Sequence, residues 1–261
     1  MITYGLIGYP LLQSGSERYF TRKFRKEKIS GRQYKLFPLK EIEQLTNLLQ
    51  DNPDICGLNV TIPYKEKVLP FLNNIDTFAR ETGAVNTIKI IRKNGLPVMN
   101  GYNTDVFGFE KSLSHEVSHE GHIYALILGT GGASKAIAYI LRKLRINYLL
   151  VSRGNITPGC ISYSGLTKDI IRKYTLIINT TPLGMYPDTS TYPIIPYEYL
   201  TRDHFLYDLI YNPVQTEFLK KGQAMGAKVQ NGLQMFYNQA ELSYSLWEME
   251  VWNNFQENEY G

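Results

Sequence analysis

One lysine closely follows a predicted strand that carries two polar side chains on a single face. The strand is predicted over residues 57–61 and leads into a helix whose first turn contains Pro63 and Lys65. The helix dipole disfavours a cation there, so Lys65 is either a group for proton transfer or an ordinary surface lysine. Asn59 and Thr61 alternate along the strand and therefore share one face. Two polar groups in an apolar strand need partners, and a polyhydroxylated ligand would provide them.

Three further polar residues lie next to the starts of predicted helices. Asp105 precedes a helix predicted over residues 106–113, where it is either the N-cap or a carboxylate that pairs with Lys65 and shares the proton transfer. Ser14 and Ser16 lie in the loop between the first predicted strand and the first predicted helix. Hydroxyls and helix N–H groups at such a place bind a carboxylate, although serines are also common in turns.

A glycine-rich turn connects a predicted strand to a predicted helix in the second half of the chain. Its sequence over residues 129–134 is Gly-Thr-Gly-Gly-Ala-Ser, in the context that a dinucleotide-binding turn requires. Gly129 permits the tight turn, and Gly131 allows a pyrophosphate to approach the backbone at the helix N-terminus. Ser134 stands where the third glycine of the usual pattern would be. The pattern indicates a dinucleotide site, with a merely tight turn as the alternative.

The end of the following predicted strand indicates which dinucleotide is bound. An acid is expected there to hold a ribose 2′-hydroxyl, but the sequence is Val151-Ser152-Arg153-Gly154. The planar guanidinium of Arg153 can donate two hydrogen bonds to a 2′-phosphate, which favours NADP over NAD. The alternative is an arginine exposed to solvent without a ligand.

A histidine-rich segment matches the HExxH zinc signature, with His115, Glu116 and His119 in the pattern and His122 beyond it. A catalytic zinc site needs both histidines on one continuous helix and an open coordination position. Gly121 follows almost at once, so the second histidine falls in a fraying helix end or a loop. We interpret the segment as a solvated connector and expect no metal.

Two series of alternating strands and helices position these candidates, and such alternation predicts mainly parallel sheets with ligands at the carboxyl ends of strands. The first series has predicted strands over residues 4–8, 33–38 and 57–61 and helices over 17–28 and 39–50. The second has predicted strands over residues 124–128, 148–152, 176–179, 205–208 and 227–229 and helices over 134–144 and 216–225. A last helix is predicted over residues 235–256. We expect an α/β protein of two domains. Residues 1–102 form an N-terminal substrate-binding domain, and residues 103–235 form a Rossmann-like dinucleotide-binding domain. The active site is expected in the cleft between them, and residues 236–261 are expected to pack back on the first domain.

The composition excludes several classes of protein and of partner. Of the 261 residues, 43% are apolar and 20% charged, as in globular chains rather than disordered, collagenous or coiled-coil ones. The 28 Lys and Arg only slightly exceed the 24 Asp and Glu, so the net charge of +4 does not indicate a nucleic-acid partner. Cys56 and Cys160 show neither a disulfide pattern nor a zinc spacing, which fits a reducing cytosol. No leader and no membrane-spanning apolar run is visible, so we expect a cytoplasmic protein.

Seven blocks along the chain together resemble the shikimate dehydrogenase family. They are Ile7-Gly-Tyr-Pro10 with Ser14 and Ser16; Asn59-Val-Thr-Ile-Pro-Tyr-Lys-Glu66; Gly83-Ala-Val-Asn-Thr87; Asn103-Thr-Asp105 with Gly108; the turn over residues 129–134; Asn179-Thr-Thr-Pro-Leu-Gly-Met185; and Asn231-Gly-Leu233 with Gln239 and Ala240. No single block decides the matter, and the resemblance depends on their number and order. It implies reversible NADP-linked reduction of 3-dehydroshikimate to shikimate, on the route to aromatic amino acids.

The resemblance also implies roles for the residues that match the family's motifs. Lys65 and Asp105 look like the catalytic pair, with Lys65 as the proton donor to the carbonyl oxygen. Ser14 and Ser16 look like the serines that bind the substrate carboxylate. Further substrate ligands implied are Thr61, Asn86, Asp105, Tyr211 and Gln239. The residues implied at NADP are Gly129, Thr130, Gly131, Gly132 and Ala133 at the pyrophosphate, Arg153 at the 2′-phosphate with Ser152 as a further cofactor-binding residue, and Leu209 and Gly232 near the nicotinamide.

Several positions depart from the family pattern. Gln13 replaces a common His and Glu17 a common Pro, which predicts a differently set carboxylate loop. Both neighbours of Arg153 differ from the usual Asn and Thr, and Thr157 stands where a second basic residue is often found. From these differences around Arg153 we expect a softer selectivity for NADP over NAD than is usual in the family. Gln234 replaces a common glycine beside the expected nicotinamide contact.

Three alternatives stay open: a relative that acts on quinate or uses NAD, a catalytically silent nucleotide-binding relative, and a zinc hydrolase. Ser14 and Ser16 favour shikimate over quinate, and the presence of both Lys65 and Asp105 argues against a silent relative. The expected partner is a small-molecule substrate, with the protein a monomer or homodimer.

Overall fold

The computed structural model describes residues 1–11, 14–113, 123–154 and 158–249, and these have an α/β architecture. The strands are β1 (Ile2–Gly8), β2 (Arg32–Pro38), β3 (Ile55–Val60), β4 (Asn74–Ile75), β5 (Thr87–Lys93), β6 (Leu96–Tyr102), β7 (Tyr124–Leu128), β8 (Asn147–Ser152), β9 (Cys160–Ser162), β10 (Leu176–Asn179), β11 (Phe205–Asp208) and β12 (Lys228–Gln230). The α-helices are α1 (Gly15–Lys26), α2 (Gln44–Asp51), α3 (Tyr64–Lys67), α4 (Thr77–Thr82), α5 (Thr104–Leu113), α6 (Gly132–Lys143), α7 (Lys168–Lys173), α8 (Glu217–Ala224) and α9 (Leu233–Glu248).

The chain folds into two compact units, each with a six-stranded sheet. Unit 1 comprises Met1–Asp76, Val85–Thr104 and the described part of Ala240–Gly261. Unit 2 comprises Thr77–Ala84 and the described part of Asp105–Gln239. The predicted boundary after residue 102 lies near the division between Thr104 and Asp105, whereas the sequence pattern does not predict that Thr77–Ala84 belongs to unit 2.

The unit 1 sheet has the strand order β2-β1-β3-β5-β6-β4. β1 pairs in parallel with β2 and β3, as the alternation of strands and helices predicts. β5 is antiparallel to both β3 and β6, and the prediction from sequence does not include this hairpin. Asn94 and Gly95 form its turn with φ values of 52° and 80°. An Asn-Gly pair between two strand-forming runs is a strong hairpin signal, so the hairpin could have been predicted.

Aromatic side chains from β1, α1 and α9 form the core on one face of the unit 1 sheet. The Trp247 indole of α9 stacks on the Tyr4 ring at 4.7 Å, and its Nε1 donates to the Ile88 carbonyl at 3.0 Å. At Gly57 of β3, a Cβ would collide with this indole. These contacts hold the end of α9 on the unit 1 sheet; Trp252, predicted in the same helix, lies outside the described residues.

All strands of the unit 2 sheet are parallel, in the order β9-β8-β7-β10-β11-β12. Read from the first strand of the unit, this is the doubly wound order 3-2-1-4-5-6. The order reverses between β7 and β10, and ligands of such sheets bind at the carboxyl ends of the strands beside this point. The predicted α/β class and Rossmann-like fold are confirmed.

Several element ends differ from the prediction for a local reason. α1 begins at Gly15 rather than residue 17 because Ser14 caps it. α9 is described over Leu233–Glu248, and residues 250–256 of the predicted last helix lie outside the described residues. β7, β10 and β11 have the predicted bounds, while β9, α4 and α7 are additional short elements. Within the described ranges, no helix is both long enough and apolar enough to cross a membrane.

Candidate active site

The carboxyl ends of β1 and β3 lie side by side in unit 1. Ile7 pairs with Val60, and the Thr61 N–H donates to the Ile7 carbonyl at 3.0 Å. At Gly8 a Cβ would lie 2.5 Å from Thr61 Cγ2, so only glycine allows this approach. The Val60 N–H donates to the Asn86 carbonyl at 2.8 Å. The sheet thereby brings Thr61 and Asn86 to one edge.

Lys65 lies in α3, whose backbone is anchored on two sides. The buried Tyr64 donates its hydroxyl to the Leu39 carbonyl at 2.7 Å, and the Val85 N–H donates to the Lys65 carbonyl at 2.7 Å. Pro63 directly precedes the helix as its N-cap. The Lys65 side chain therefore extends from a fixed backbone, and it is half-buried.

The side chain of Asn86 is buried, with only 4% of its surface exposed. The Thr104 N–H donates to Asn86 Oδ1 at 2.8 Å, and Asn86 Nδ2 donates to Thr104 Oγ1 at 2.9 Å. Because only the amide oxygen can accept from an N–H, these contacts fix which atom of the amide is the donor. Thr104 therefore fixes the orientation of the Asn86 amide.

Ser14 is the N-cap of α1. Its Oγ accepts from the N–H groups of Ser16 and Glu17 at 3.1 and 3.4 Å. Since a hydroxyl both accepts and donates, Ser14 can still donate its own hydrogen to a ligand. Gln13, the predicted departure in this loop, lies outside the described residues.

In unit 2, three predicted substrate residues lie on α5, on the segment after β11 and on α9. Asp105 is 7% exposed and is the second residue of α5, so it is not the N-cap. The Tyr211 ring stacks on Phe236 at 4.5 Å, and Gln239 Nε2 donates to the Phe236 carbonyl at 3.0 Å. Phe236 thus joins Tyr211 to Gln239, a role that the sequence pattern did not reveal.

The glycine-rich turn lies at the carboxyl end of β7. Gly129 has a φ of +111°, and a Cβ there would lie 2.8 Å from Thr180 Oγ1, so the protein's own backbone requires glycine. Gly131 has a φ of −82°. A Cβ added there would have no heavy atom of the described residues within 4 Å, apart from those of its chain neighbours and its own helix backbone. Ser134, in place of a third glycine, donates its hydroxyl to the Gly131 carbonyl at 2.6 Å.

Ser152 and Arg153 follow β8, the neighbour of β7 in the sheet. Ser152 Oγ accepts from the Gly154 N–H at 3.2 Å, which fixes the turn that carries Arg153. Burial raises the pKa of Tyr163, and the positive charge of Arg153 offsets part of this rise. The Arg153 guanidinium is therefore close enough to interact electrostatically with the Tyr163 hydroxyl. The Arg153 side chain is exposed. Thr157 lies outside the described residues.

Leu209 and Gly232 come together beyond the ends of β11 and β12. A Cβ at Gly232 would collide with the Leu209 carbonyl oxygen. The Gly232 N–H donates to the Ile210 carbonyl at 3.1 Å, and the Leu209 N–H donates to the Asn179 carbonyl at 3.0 Å. Two backbones therefore approach each other directly, and this requires the glycine.

Asp208, at the end of β11, is a buried carboxylate that the sequence pattern did not single out. It accepts hydrogen bonds from Asn179 Nδ2 at 3.0 Å, the Ile210 N–H at 3.0 Å and Thr216 Oγ1 at 2.6 Å. Burial raises the pKa of Asp208 to about 6 despite these donors. The side chain fixes the backbone next to Leu209.

No cluster of three or more His, Cys, Asp or Glu suited to a metal ion occurs in the part of the chain that the structure describes. The segment with His115, His119 and His122 lies outside that part.

Known proteins are similar to this chain along most of its length. Residues 6–88 match the family described as shikimate dehydrogenase substrate binding domain. A shikimate dehydrogenase (NADP+) of Halothermothrix orenii is 38% identical over 93% of this chain and 89% of that protein. The chain belongs to the shikimate dehydrogenase family. The resemblance seen in the seven sequence blocks is confirmed.

Solved structures of shikimate dehydrogenases share this fold over nearly the whole chain. Shikimate dehydrogenase 1 of Peptoclostridium difficile is 35% identical with a TM-score of 0.84, covering 97% of this chain and 94% of that one. The enzyme of Thermus thermophilus, solved in complex with NADP(H) and shikimate, is 29% identical with a TM-score of 0.79, covering 95% and 94%.

The residues of this shikimate dehydrogenase family member fit a dinucleotide at the glycine-rich turn. α6 begins at Gly132 with Gly131 as its N-cap, and no side chain caps the helix. Its first N–H groups and the positive end of its dipole therefore suit a pyrophosphate. The open space at the missing Cβ of Gly131 is where such a group would approach.

Proposed function

We propose that the protein is an NADP-dependent oxidoreductase that reversibly reduces 3-dehydroshikimate to shikimate, in the route to chorismate and the aromatic amino acids. The observation that carries the proposal is membership of the shikimate dehydrogenase family along 93% of the chain, at 38% identity to an NADP-dependent relative. The doubly wound sheet of unit 2 and the glycine-rich turn at its switch point support the same reaction class.

The proposed substrate groups of unit 1 divide into a proton donor and positioning groups. Lys65 gives a proton to the substrate carbonyl oxygen, for which its anchored and half-buried position is suited. Ser14 and Ser16 bind the substrate carboxylate. Thr61 and Asn86 bind hydroxyl groups, and the fixed orientation of the Asn86 amide supports its use as a donor.

Three residues of unit 2 complete the proposed substrate set. Asp105 is the second member of the catalytic pair and shares the proton transfer with Lys65. Tyr211 and Gln239 bind the ring and its hydroxyls, supported by their common contact with Phe236.

The proposed NADP site lies in unit 2. The backbone of Gly129, Thr130, Gly131, Gly132 and Ala133 holds the pyrophosphate, Ser152 and Arg153 hold the 2′-phosphate, and Leu209 and Gly232 line the nicotinamide. When bound as NADPH, the cofactor supplies the hydride that adds to the carbonyl carbon. The oxygen then takes the Lys65 proton, so one hydride and one proton convert the ketone to an alcohol, and oxidation of shikimate reverses both transfers.

The test is absorbance-monitored reduction of NADP and of NAD by the purified protein, with shikimate and quinate as separate substrates. The proposal expects the highest kcat/KM for shikimate with NADP. A higher kcat/KM for quinate or for NAD would favour the alternative of a relative that acts on quinate or uses NAD. Nucleotide binding without turnover of any pair would favour a silent relative and contradict the proposal.

The proposed setting is the cytoplasm, as a monomer or a homodimer with small-molecule ligands and without a nucleic-acid partner. The absence of a membrane-spanning helix within the described ranges is compatible with this setting. Light scattering on the purified protein distinguishes the two oligomeric states, and a larger assembly would contradict both.

A further inference from the structure

A group of buried amides and hydroxyls connects α9 to Asn86 within unit 1. We call this group the hydroxyl network; it consists of Tyr34, Asn59, Asn86, Thr87, Thr104 and Ser243. Ser243 and Thr87 are fully buried, and Thr104 is 1% exposed. Because buried polar groups are costly without partners, the contacts among these side chains define their orientation.

Ser243 of α9 contacts three members of the hydroxyl network. Its Oγ lies 2.7 Å from Thr87 Oγ1, 3.2 Å from Thr104 Oγ1 and 3.2 Å from Asn59 Nδ2. Asn59 is in turn oriented by the Tyr34 hydroxyl, which donates to its Oδ1 at 2.7 Å. The Asn59 amide therefore directs its Nδ2 group toward Ser243.

The distances in the hydroxyl network fit donation that runs from Asn59 to Asn86. In this arrangement, Asn59 Nδ2 donates to Ser243 Oγ, the Ser243 hydroxyl to Thr87 Oγ1, and the Thr87 hydroxyl to Asn86 Oδ1 at 3.2 Å. Thr104 Oγ1 accepts from Asn86 Nδ2, and its own hydrogen is within reach of both Ser243 Oγ and Asn86 Oδ1. In this arrangement each hydroxyl both donates and accepts, and the Asn86 amide oxygen faces the network.

We propose that Ser243 is a positioning residue that acts through Asn86: it fixes the Asn86 amide so that its N–H group is aimed at a substrate hydroxyl. The inference rests on the proposed function, because Asn86 is a proposed shikimate ligand. Loss of the Ser243 hydroxyl leaves Asn59 without one acceptor and Thr87 without one donor. The Thr87 and Thr104 hydroxyls then compete for the same partners, and the Asn86 amide is held less firmly.

The first test is the variant Ser243→Ala, assayed with shikimate and NADP by steady-state kinetics. The KM for shikimate is expected to rise about threefold to tenfold, as for a weakened hydrogen bond, with the KM for NADP unchanged. The matched control is Ser245→Ala, two residues along the same helix, whose exposed hydroxyl donates only to the Glu241 carbonyl among the described residues. This control should leave both KM values and kcat unchanged.

A second variant tests whether the effect of Ser243→Ala on the shikimate KM comes only from impaired folding. Thr87→Val keeps the shape of the side chain and removes a different hydroxyl of the network, so it should raise the shikimate KM in the same way. Ser243→Ala is also combined with Asn86→Ala. If Ser243 acts through Asn86, it should have no further effect on the shikimate KM in that background.

A lowered melting temperature with a shikimate KM within twofold of wild type in both variants would overturn the inference and leave the proposed function intact. An equal effect of Ser243→Ala with and without Asn86 would also overturn it. A wild-type protein that does not oxidise shikimate would overturn the proposed function and the inference with it.

Discussion

In unit 1 the proposed substrate groups are mostly side chains, such as Lys65 and Asn86, and further buried side chains fix them in place. In unit 2 the proposed NADP groups are chiefly backbone atoms, at the turn with Gly129 and Gly131 and where Leu209 meets Gly232. A site built from side chains should respond most to truncation of one functional group. A site built from backbone should respond most to an added Cβ.

The buried polar contacts of the two units differ in the same way. The hydroxyl network of unit 1 distributes its hydrogen bonds over several amides and hydroxyls. In unit 2 one carboxylate, Asp208, accepts from Asn179, Ile210 and Thr216. A buried carboxylate carries a larger desolvation cost than a buried dipole does. Because this cost shifts its pKa on folding, its contribution to stability depends on pH.

The largest effect is expected for Lys65→Ala, which removes the proton donor of unit 1. We expect kcat to fall by about 10²-fold to 10⁴-fold with the KM for NADP unchanged, because a general acid contributes rate enhancement of that size. The matched control is Lys67→Ala in the same short helix, where the lysine is exposed. A kcat close to wild type in Lys65→Ala would exclude the proposed role.

Replacing Asp208 by Asn removes a titrating group from unit 2. Burial raises the pKa of Asp208 from 3.8 to about 6, so the folded protein holds this proton more tightly than the unfolded chain. Ionisation of Asp208 therefore lowers the free energy of unfolding, and this decrease develops as the pH rises from about 4 to about 6. Two pKa units correspond to about 3 kcal/mol.

The corresponding measurement is urea denaturation of wild type and Asp208→Asn at a series of pH values. The free energy of unfolding of wild type minus that of the variant should fall by up to about 3 kcal/mol between about pH 4 and pH 7. Parallel curves for the two proteins would contradict the raised pKa.

The variant Gly131→Ala tests whether the pyrophosphate of NADP approaches the backbone at this residue, because the added Cβ should not strain the folded protein. The φ of −82° and the empty surroundings of the missing Cβ predict that Gly131→Ala folds normally. We expect the dissociation constant for NADP to rise about tenfold, because the methyl group occupies the space that the pyrophosphate needs. In Gly129→Ala, by contrast, the melting temperature should also fall, since its φ of +111° is strained for alanine. Unchanged NADP binding in Gly131→Ala would contradict the backbone site.

The smallest effect is expected for Arg153→Ala, because the side chain is exposed. The KM for NADP should rise about fivefold as charge-assisted hydrogen bonds to the 2′-phosphate are lost, while the KM for NAD stays the same. Arg172→Ala, which removes an exposed arginine of α7, is the control. Equal changes in both KM values would show that Arg153 does not distinguish the cofactors.

Local patterns in the sequence predicted the strands of the two alternating series and the glycine-rich turn, because each depends on neighbouring residues. They did not predict β4, β5, β6 and β9. β7, β10 and β11 have the predicted bounds, and the turn after β7 lies where its glycines indicated. Asn94-Gly95 would have revealed the β5–β6 hairpin by the same reasoning.

Contacts between distant parts of the chain could not be predicted in this way. Ser243 contacts Asn59, Thr87 and Thr104, and only the tertiary fold joins these positions. The raised pKa of Asp208 likewise depends on burial that no local pattern specifies. The role of Phe236 between Tyr211 and Gln239 belongs to the same class.

Under the proposed function, the protein transfers a hydride directly between shikimate and NADP. The most direct measurement is turnover of shikimate deuterated at the carbinol carbon that is oxidised, followed by mass spectrometry of the reduced cofactor. We expect to find the deuterium in the nicotinamide ring of NADPH. Turnover that leaves the cofactor unlabelled, or no turnover by the folded protein, would contradict it.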